Sequence, residues 1–154
     1  MKNKILLNSI YLVTLGILSS FSLPPYNFFW INFFTFSLFF LILFKNLKIT
    51  QNYKIYFFYG WLFGFGFFIS NIYWISISLT FDKDFKFLIP FTIILIPSFL
   101  AVFYGLISYF FFIIKLKKIL SSLFLFSLLF GILEYMRGTI LTGFPWNLIV
   151  YSLS

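Results

Sequence analysis

The chain has 154 residues, 62% of them hydrophobic and only 9% charged, where an ordinary soluble domain carries about 25% charge. No water-soluble fold of this length could hide that much apolar surface, so the composition excludes a soluble globule and makes lipid the solvent. The net charge of +8 raises the question of nucleic acid, and the absence of Cys and His excludes disulfides, thiol chemistry and the commonest metal ligands. No cofactor or metal is expected. Phe accounts for 28 residues against a single alanine, Ala101, which reads as a biased composition filling lipid-facing positions.

In chain order, the apolar runs predict an all-α, polytopic transmembrane bundle of about five spans, at 5–23, 28–44, 55–79, 87–114 and 119–137. Lys2 and Lys4 precede the first span, which at about 1.5 Å per residue approaches the ~30 Å hydrocarbon core. A cleaved signal ending near Ser20-Phe21-Ser22 is the competing reading; the run is long for that, and another follows at once. Pro24-Pro25-Tyr26-Asn27 then makes an uncharged turn, since the prolines cannot continue the helix. The second span closes at Lys45, Lys48 and Lys54 around a polar loop.

The third span carries a stripe. Gly60, Gly64, Asn71, Trp74 and Ser78 fall within about 40° of one line on a helical wheel. Gly60 and Gly64 form G-x-x-x-G, which lets another backbone come close. Asn71 and Ser78 are placed to hydrogen-bond across that contact, and Trp74 suits the membrane interface. The loop with Asp82, Lys83, Asp84 and Lys86 interleaves both signs and reads as a solvated turn, not as paired catalytic carboxylates. In the fourth span Pro90 fits the first turn, Pro97 is expected to kink the helix, and Lys115, Lys117 and Lys118 close the span.

In the fifth span Ser127, Gly131, Glu134 and Gly138 share about 60° of the wheel, a stripe expected to face other helices and turn Glu134 inward. Arg137 lies one turn on, within reach of Glu134. Buried acids and arginines cost about 2.5–3.5 kcal/mol each on insertion scales, which makes 134–147 the candidate functional stretch. It continues through Phe144, Pro145, Trp146 and Asn147. Eight lysines fall on one predicted side, against Lys83, Lys86, Arg137 and all three acids on the other. The positive-inside rule makes the lysine side cytoplasmic and 138–154 extracytoplasmic. The lysines are then anchors for anionic headgroups, not a nucleic-acid patch.

Three stretches resemble one family. They are Phe21-Ser22-Leu23-Pro24-Pro25-Tyr26, then Gly60-Trp61-Leu62-Phe63-Gly64-Phe65-Gly66-Phe67-Phe68 with Asn71-Ile72-Tyr73-Trp74-Ile75, then Glu134-Tyr135-Met136-Arg137-Gly138 with Leu141-Thr142-Gly143-Phe144-Pro145-Trp146-Asn147 and Tyr151. In this order they resemble the amino-terminal membrane region of bacterial apolipoprotein N-acyltransferase. The resemblance covers nearly all of this chain and the first part of the family's length. It implies a multi-pass inner-membrane enzyme, monomeric at full length. Such an enzyme takes an acyl chain from a phospholipid donor and transfers it to the N-terminal diacylated cysteine of an apolipoprotein.

The family's Glu-Lys-Cys triad lies in a nitrilase-like periplasmic domain. This chain has no Cys, so no catalytic residue carries over and an amino-terminal fragment is expected. Glu134, Arg137, Phe144, Pro145, Trp146 and Asn147, with Trp74, are the candidates for facing lipid or substrate. Phe144 and Trp146 suit acyl chains or headgroups, and the Arg137 fork suits a phospholipid phosphate or a structural pair with Glu134. Two further readings stand beside this one: a non-enzymatic transporter half or assembly subunit, and the membrane region of a polyprenol-phosphate-mannose synthase.

Overall fold

A computed structural model describes residues 2–49, 51–81, 83–140, 148–149 and 152, with residues 2, 3, 74–76, 78, 83 and 85 described for backbone only. Five α-helices follow one another: α1 Lys2–Ser20, α2 Trp30–Asn46, α3 Tyr53–Ser78, α4 Ile89–Ile114 and α5 Ile119–Ile140. A 3₁₀ turn over Lys83–Leu88 precedes α4, and no strand occurs among the described residues. Among the described residues three stretches are long and apolar enough to cross a membrane: Tyr53–Tyr73, Lys86–Ile114 and Ile119–Ile140. The apolar stretches Lys4–Ser20 and Trp30–Asn46 are shorter. At 17 residues, α2 reaches about 26 Å, a few Å less than the hydrocarbon core.

The helices of the predicted bundle are all present, and their ends move for local reasons. Residues 21–23 belong to a turn, not to α1. There Ser22 Oγ donates to the Ser19 carbonyl at 2.7 Å, and the Phe28 amide closes the loop on the Phe21 carbonyl at 3.0 Å. Asn27 sits at φ 56°, a left-handed conformation that asparagine tolerates better than most side chains. That break delays α2 to Trp30. At the other end of the chain α5 continues past Arg137 and Gly138 to at least Ile140. Helix α4 is continuous through Pro97, and beside that proline the Trp61 indole donates to the Ser98 carbonyl at 2.9 Å.

Helix α3 is the centre, packed between α1 and α4. On one side a Cβ at Gly16 would run into the Phe63 carbonyl, and one at Gly66 into the Val13 carbonyl. On the other side Gly60 abuts the Tyr104 carbonyl and the Ser108 hydroxyl, and a Cβ at Gly64 would lie 2.8 Å from the Tyr104 Cβ and 3.1 Å from the Ala101 Cα. Gly60 and Gly64 therefore pack as their spacing predicts. In lipid, where tails are as apolar as side chains, such close backbone approach and dispersion hold helices together.

Phenylalanine does more than face lipid. Phe39, Phe40, Phe63, Phe67, Phe68, Phe111, Phe126 and Phe130 are all buried, which corrects the reading of Phe as lipid-facing filler. Phe39 stacks on Phe63 at 4.4 Å, and Tyr104 meets Phe130 edge-on at 5.0 Å. With one alanine in the chain, rings fill the space between helices, and each good ring pair adds about 0.5–1.5 kcal/mol beyond its buried area.

The helices alternate in direction, so the lysines outside the turn before α4 gather at one end. Lys115 Nζ donates to Gln51 Oε1 at 2.6 Å, joining the end of α4 to the start of α3. Tyr56 at the start of α3 reaches the Leu43 carbonyl near the end of α2, and Asn8 of α1 reaches the Tyr59 hydroxyl. Glu134 and Arg137 lie at the far end of α5.

Candidate functional site

The buried face of α5 is Ser122, Phe126, Phe130, Leu133 and Arg137, spaced four, four, three and four, which keeps one helical line toward the bundle. Arg137 ends that line with a side chain only 1% exposed. Its Nη2 donates to both oxygens of Glu134 at 3.0 Å, and its Nε to Oε1 at 3.3 Å. The backbone amide of Ile149 donates to the same carboxylate at 3.2 Å. The guanidinium carbon lies 4.9 Å from the centre of the Phe68 ring on α3. Phe68 in turn meets Tyr104 of α4 edge-on at 5.4 Å.

The Tyr104 phenol is fully buried beside Glu134 and Arg137. Its oxygen has no well-formed hydrogen bond among the described residues. Each charge of the pair is thus answered by a partner, a fork of hydrogen bonds or a ring face, as charges out of water require. A cavity of about 400 Å³ opens beside the pair, lined by Phe130, Gly131, Glu134, Tyr135, Leu148 and Ile149.

The expected pairing of Glu134 with Arg137 is therefore present. Three expectations for the stripes are corrected. Asn71 Nδ2 donates to the Phe67 carbonyl of its own helix at 3.0 Å and does not bridge to α4, because the glycine contact with α4 lies more than one turn away. Gly131 is open among the described residues, none of which places an atom within 4 Å of a Cβ there. Ser127 is exposed along a groove between α2 and α5. The aromatic face of α5 takes the bundle contact, so the small-residue face is left outside, and Glu134 is reached from it. Gly138 meets the Leu148 side chain, 3.3 Å from a built Cβ. The side chains of Trp74 and Ser78 lie outside the described residues, as do Phe144, Pro145, Trp146 and Asn147 altogether.

Sequence reasoning missed Asn32. Its Oδ1 accepts from Ser19 Oγ at 2.7 Å and its Nδ2 donates to Ser152 Oγ at 3.2 Å, which ties α1, α2 and the segment after α5 together. An amide inside an uncharged, mostly apolar span was the available signal. Phe68 and Tyr104 were invisible as site residues because rings abound in this chain and only contact distinguishes them.

Described residues of all three motifs meet at this end. Pro24, Pro25 and Tyr26 share a cavity of about 210 Å³ with Ser70, Asn71 and Tyr73, and Phe68 meets Arg137 as described. The chain matches the family model for the apolipoprotein N-acyltransferase N-terminal domain over residues 15–154. It is 33% identical over 156 aligned residues to the apolipoprotein N-acyltransferase of Rhizobium etli (strain CIAT 652), covering 94% of this chain and 28% of that protein. It is 40% identical over 146 residues to that of Rickettsia prowazekii (strain Madrid E), again covering 94% and 28%. With that of Rickettsia bellii (strain RML369-C) it shares 42% identity over 96 residues, 62% of this chain and 19% of that one. The chain spans under a third of the length of these relatives. With the matched model running over most of this helical bundle, the chain belongs to the apolipoprotein N-acyltransferase N-terminal domain family.

Proposed function

We propose that this chain is the membrane portion of an enzyme that N-acylates the diacylated N-terminal cysteine of bacterial lipoproteins, with phospholipid as acyl donor. In that reaction a thiolate attacks the ester carbonyl of the phospholipid and releases the lysophospholipid. The α-amine of the lipoprotein then attacks the thioester, an amide forms, and the thiol leaves. The chain has no Cys, so the thiol belongs to a nitrilase-like domain outside it. What this chain supplies is placement: a bundle seated in the inner membrane, with its lysine-rich end cytoplasmic and its motif-bearing end periplasmic.

The observation that carries the placement is the Glu134–Arg137 pair, bonded to the Ile149 amide at the end opposite the lysines. The geometry favours a positioning role for Arg137 over phosphate binding. Its side chain is 1% exposed, its fork is engaged by Glu134 and its face is covered by Phe68. The pair holds the segment after α5 against the bundle, and Phe144, Pro145, Trp146 and Asn147 would form the outer-leaflet floor beneath the catalytic domain. Indole and phenyl rings are suited to that depth.

The test is complementation by the complete polypeptide in a strain depleted of its own N-acyltransferase, read by the mass of a lipoprotein's N-terminal peptide. The expected product carries a third acyl chain; a peptide that stays diacylated would overturn the proposal. In the same system, Arg137→Ala is expected to lower the amount of folded enzyme and leave the phospholipid KM of the surviving enzyme unchanged. A selective rise in that KM at normal protein level would restore the phosphate role.

A further inference from the structure

At the end opposite the motif site, the end of α2 with the turn that follows it and the segment after α4 line a cavity of about 430 Å³, formed by Phe44, Leu47, Lys48, Lys115, Leu116 and Lys117. We infer that this cavity binds the headgroup phosphate of one anionic phospholipid, with Phe44, Leu47 and Leu116 against the start of its acyl chains. The inference is independent of acyl transfer.

The residues reach the site by local geometry. Helix α4 ends where Lys115 turns left-handed at φ 46°, its amide still bonded to the Phe111 carbonyl. That turn brings Lys115, Leu116 and Lys117 to the same cavity as Lys48. The three ammonium groups thus come from two separate segments, unlike a run of anchors along one helix end.

One of the three is already positioned. Lys115 Nζ donates to Gln51 Oε1 at 2.6 Å and stands 5.5 Å over the Phe112 ring. An ammonium has three N–H donors, so others remain for a phosphate oxygen. No acid is among the described residues that line the cavity; Asp84 lies before α4, at the opposite end of that helix, and Glu134 at the far end of α5. A positive rim with no counter-charge above an apolar floor matches an amphiphile with an anionic head, and basic pockets between membrane helices take such lipids. The volume falls within the range of small-molecule sites, about 300–1,000 Å³. A zwitterionic lipid would bring a cationic group to three lysines, and a soluble anion would leave the apolar floor uncovered.

The complete polypeptide, purified in mild detergent and stripped of lipid, is titrated with phosphatidylglycerol and with phosphatidylcholine and read by native mass spectrometry. One phosphatidylglycerol is expected to be retained, phosphatidylcholine at least about tenfold more weakly, and inorganic phosphate is expected not to compete. Lys48→Gln/Lys115→Gln/Lys117→Gln is expected to lose that preference. Lys4→Gln/Lys45→Gln/Lys118→Gln removes the same charge from the same end outside the cavity and is expected to keep it. Equal weakening in the two triple variants would reduce the site to general charge and overturn the inference. So would effective competition by inorganic phosphate, or the absence of a saturable first lipid. If loss of the Lys115–Gln51 bond lowers helix content, Lys48→Gln/Lys117→Gln carries the test with the same expected loss.

Discussion

Replacing Arg137 by methionine tests the reasoning about the motif-bearing end most sharply. Methionine keeps the length and apolar bulk of the arginine stem and removes the charge. The Glu134 carboxylate would lose its contacts to the guanidinium at 3.0 and 3.3 Å and keep the Ile149 amide at 3.2 Å. Breaking a buried pair from one side costs about 3–5 kcal/mol, because a charge is left uncompensated. Part of that, about 0.5–2 kcal/mol, is the guanidinium over Phe68 at 4.9 Å.

The neutral double variant Glu134→Gln/Arg137→Met leaves no stranded charge and still offers an amide oxygen to Ile149. It should cost less than the two single changes together, with a coupling energy above about 1.5 kcal/mol. The assay is reversible unfolding of the complete polypeptide in mixed micelles, followed by helical circular dichroism. Arg137→Met within about 1 kcal/mol of the wild type, with coupling under about 0.5 kcal/mol, would refute the argument that the pair is buried and mutually dependent.

Glycine substitutions separate packing from sequence pattern. Gly60→Leu meets the Tyr104 backbone carbonyl, which cannot move aside without shifting α4, and is expected to cost several-fold in folded yield, whereas Gly131→Ala meets no described residue and should leave yield unchanged or raise it; gel filtration of both variants reads the difference. Asn32→Leu removes the bonds to Ser19 and Ser152 and is expected to destabilise by about 1–2 kcal/mol, near the upper end measured for polar contacts between membrane helices, with faster proteolysis after α5 as its signature. Trp61→Phe loses the bond to the Ser98 carbonyl and should cost about 0.5–1.5 kcal/mol in the same unfolding assay.

What could be read from residues alone was set by how few signals a greasy chain contains. Lysine placement separated the spans and gathered one end of the bundle, because charge is rare here and each charge therefore carries information. The i,i+3 spacing of Glu134 and Arg137 led directly to their pair, and G-x-x-x-G at 60 and 64 to the α3–α4 contact. The reading of the α5 stripe failed for a different reason. It took small residues for the packing face, whereas here the rings of Phe126 and Phe130 occupy the interface with Phe39 and Tyr104.

Helix ends were misplaced by two or three residues where apolar composition runs on through a turn, as at Phe21, Ser22 and Leu23. The matching of Asn32 to Ser152 spans 120 positions, and no local pattern reports a partner so distant. Phe68 became a site residue only through its contact with Arg137.

Which way the bundle sits decides which membrane face carries the Glu134–Arg137 pair. Residues 1–154 contain no cysteine, so one introduced thiol can be assigned by the mass of its peptide even in the complete polypeptide. Asp84→Cys and Lys117→Cys place that thiol at opposite ends of α4. Treated in intact cells with a membrane-impermeant maleimide that reaches the periplasm, Asp84→Cys is expected to react at once and Lys117→Cys only after the inner membrane is opened. Immediate labelling of Lys117→Cys, with Asp84→Cys protected, would invert the topology and contradict the proposed seating of the buried pair at the periplasmic face.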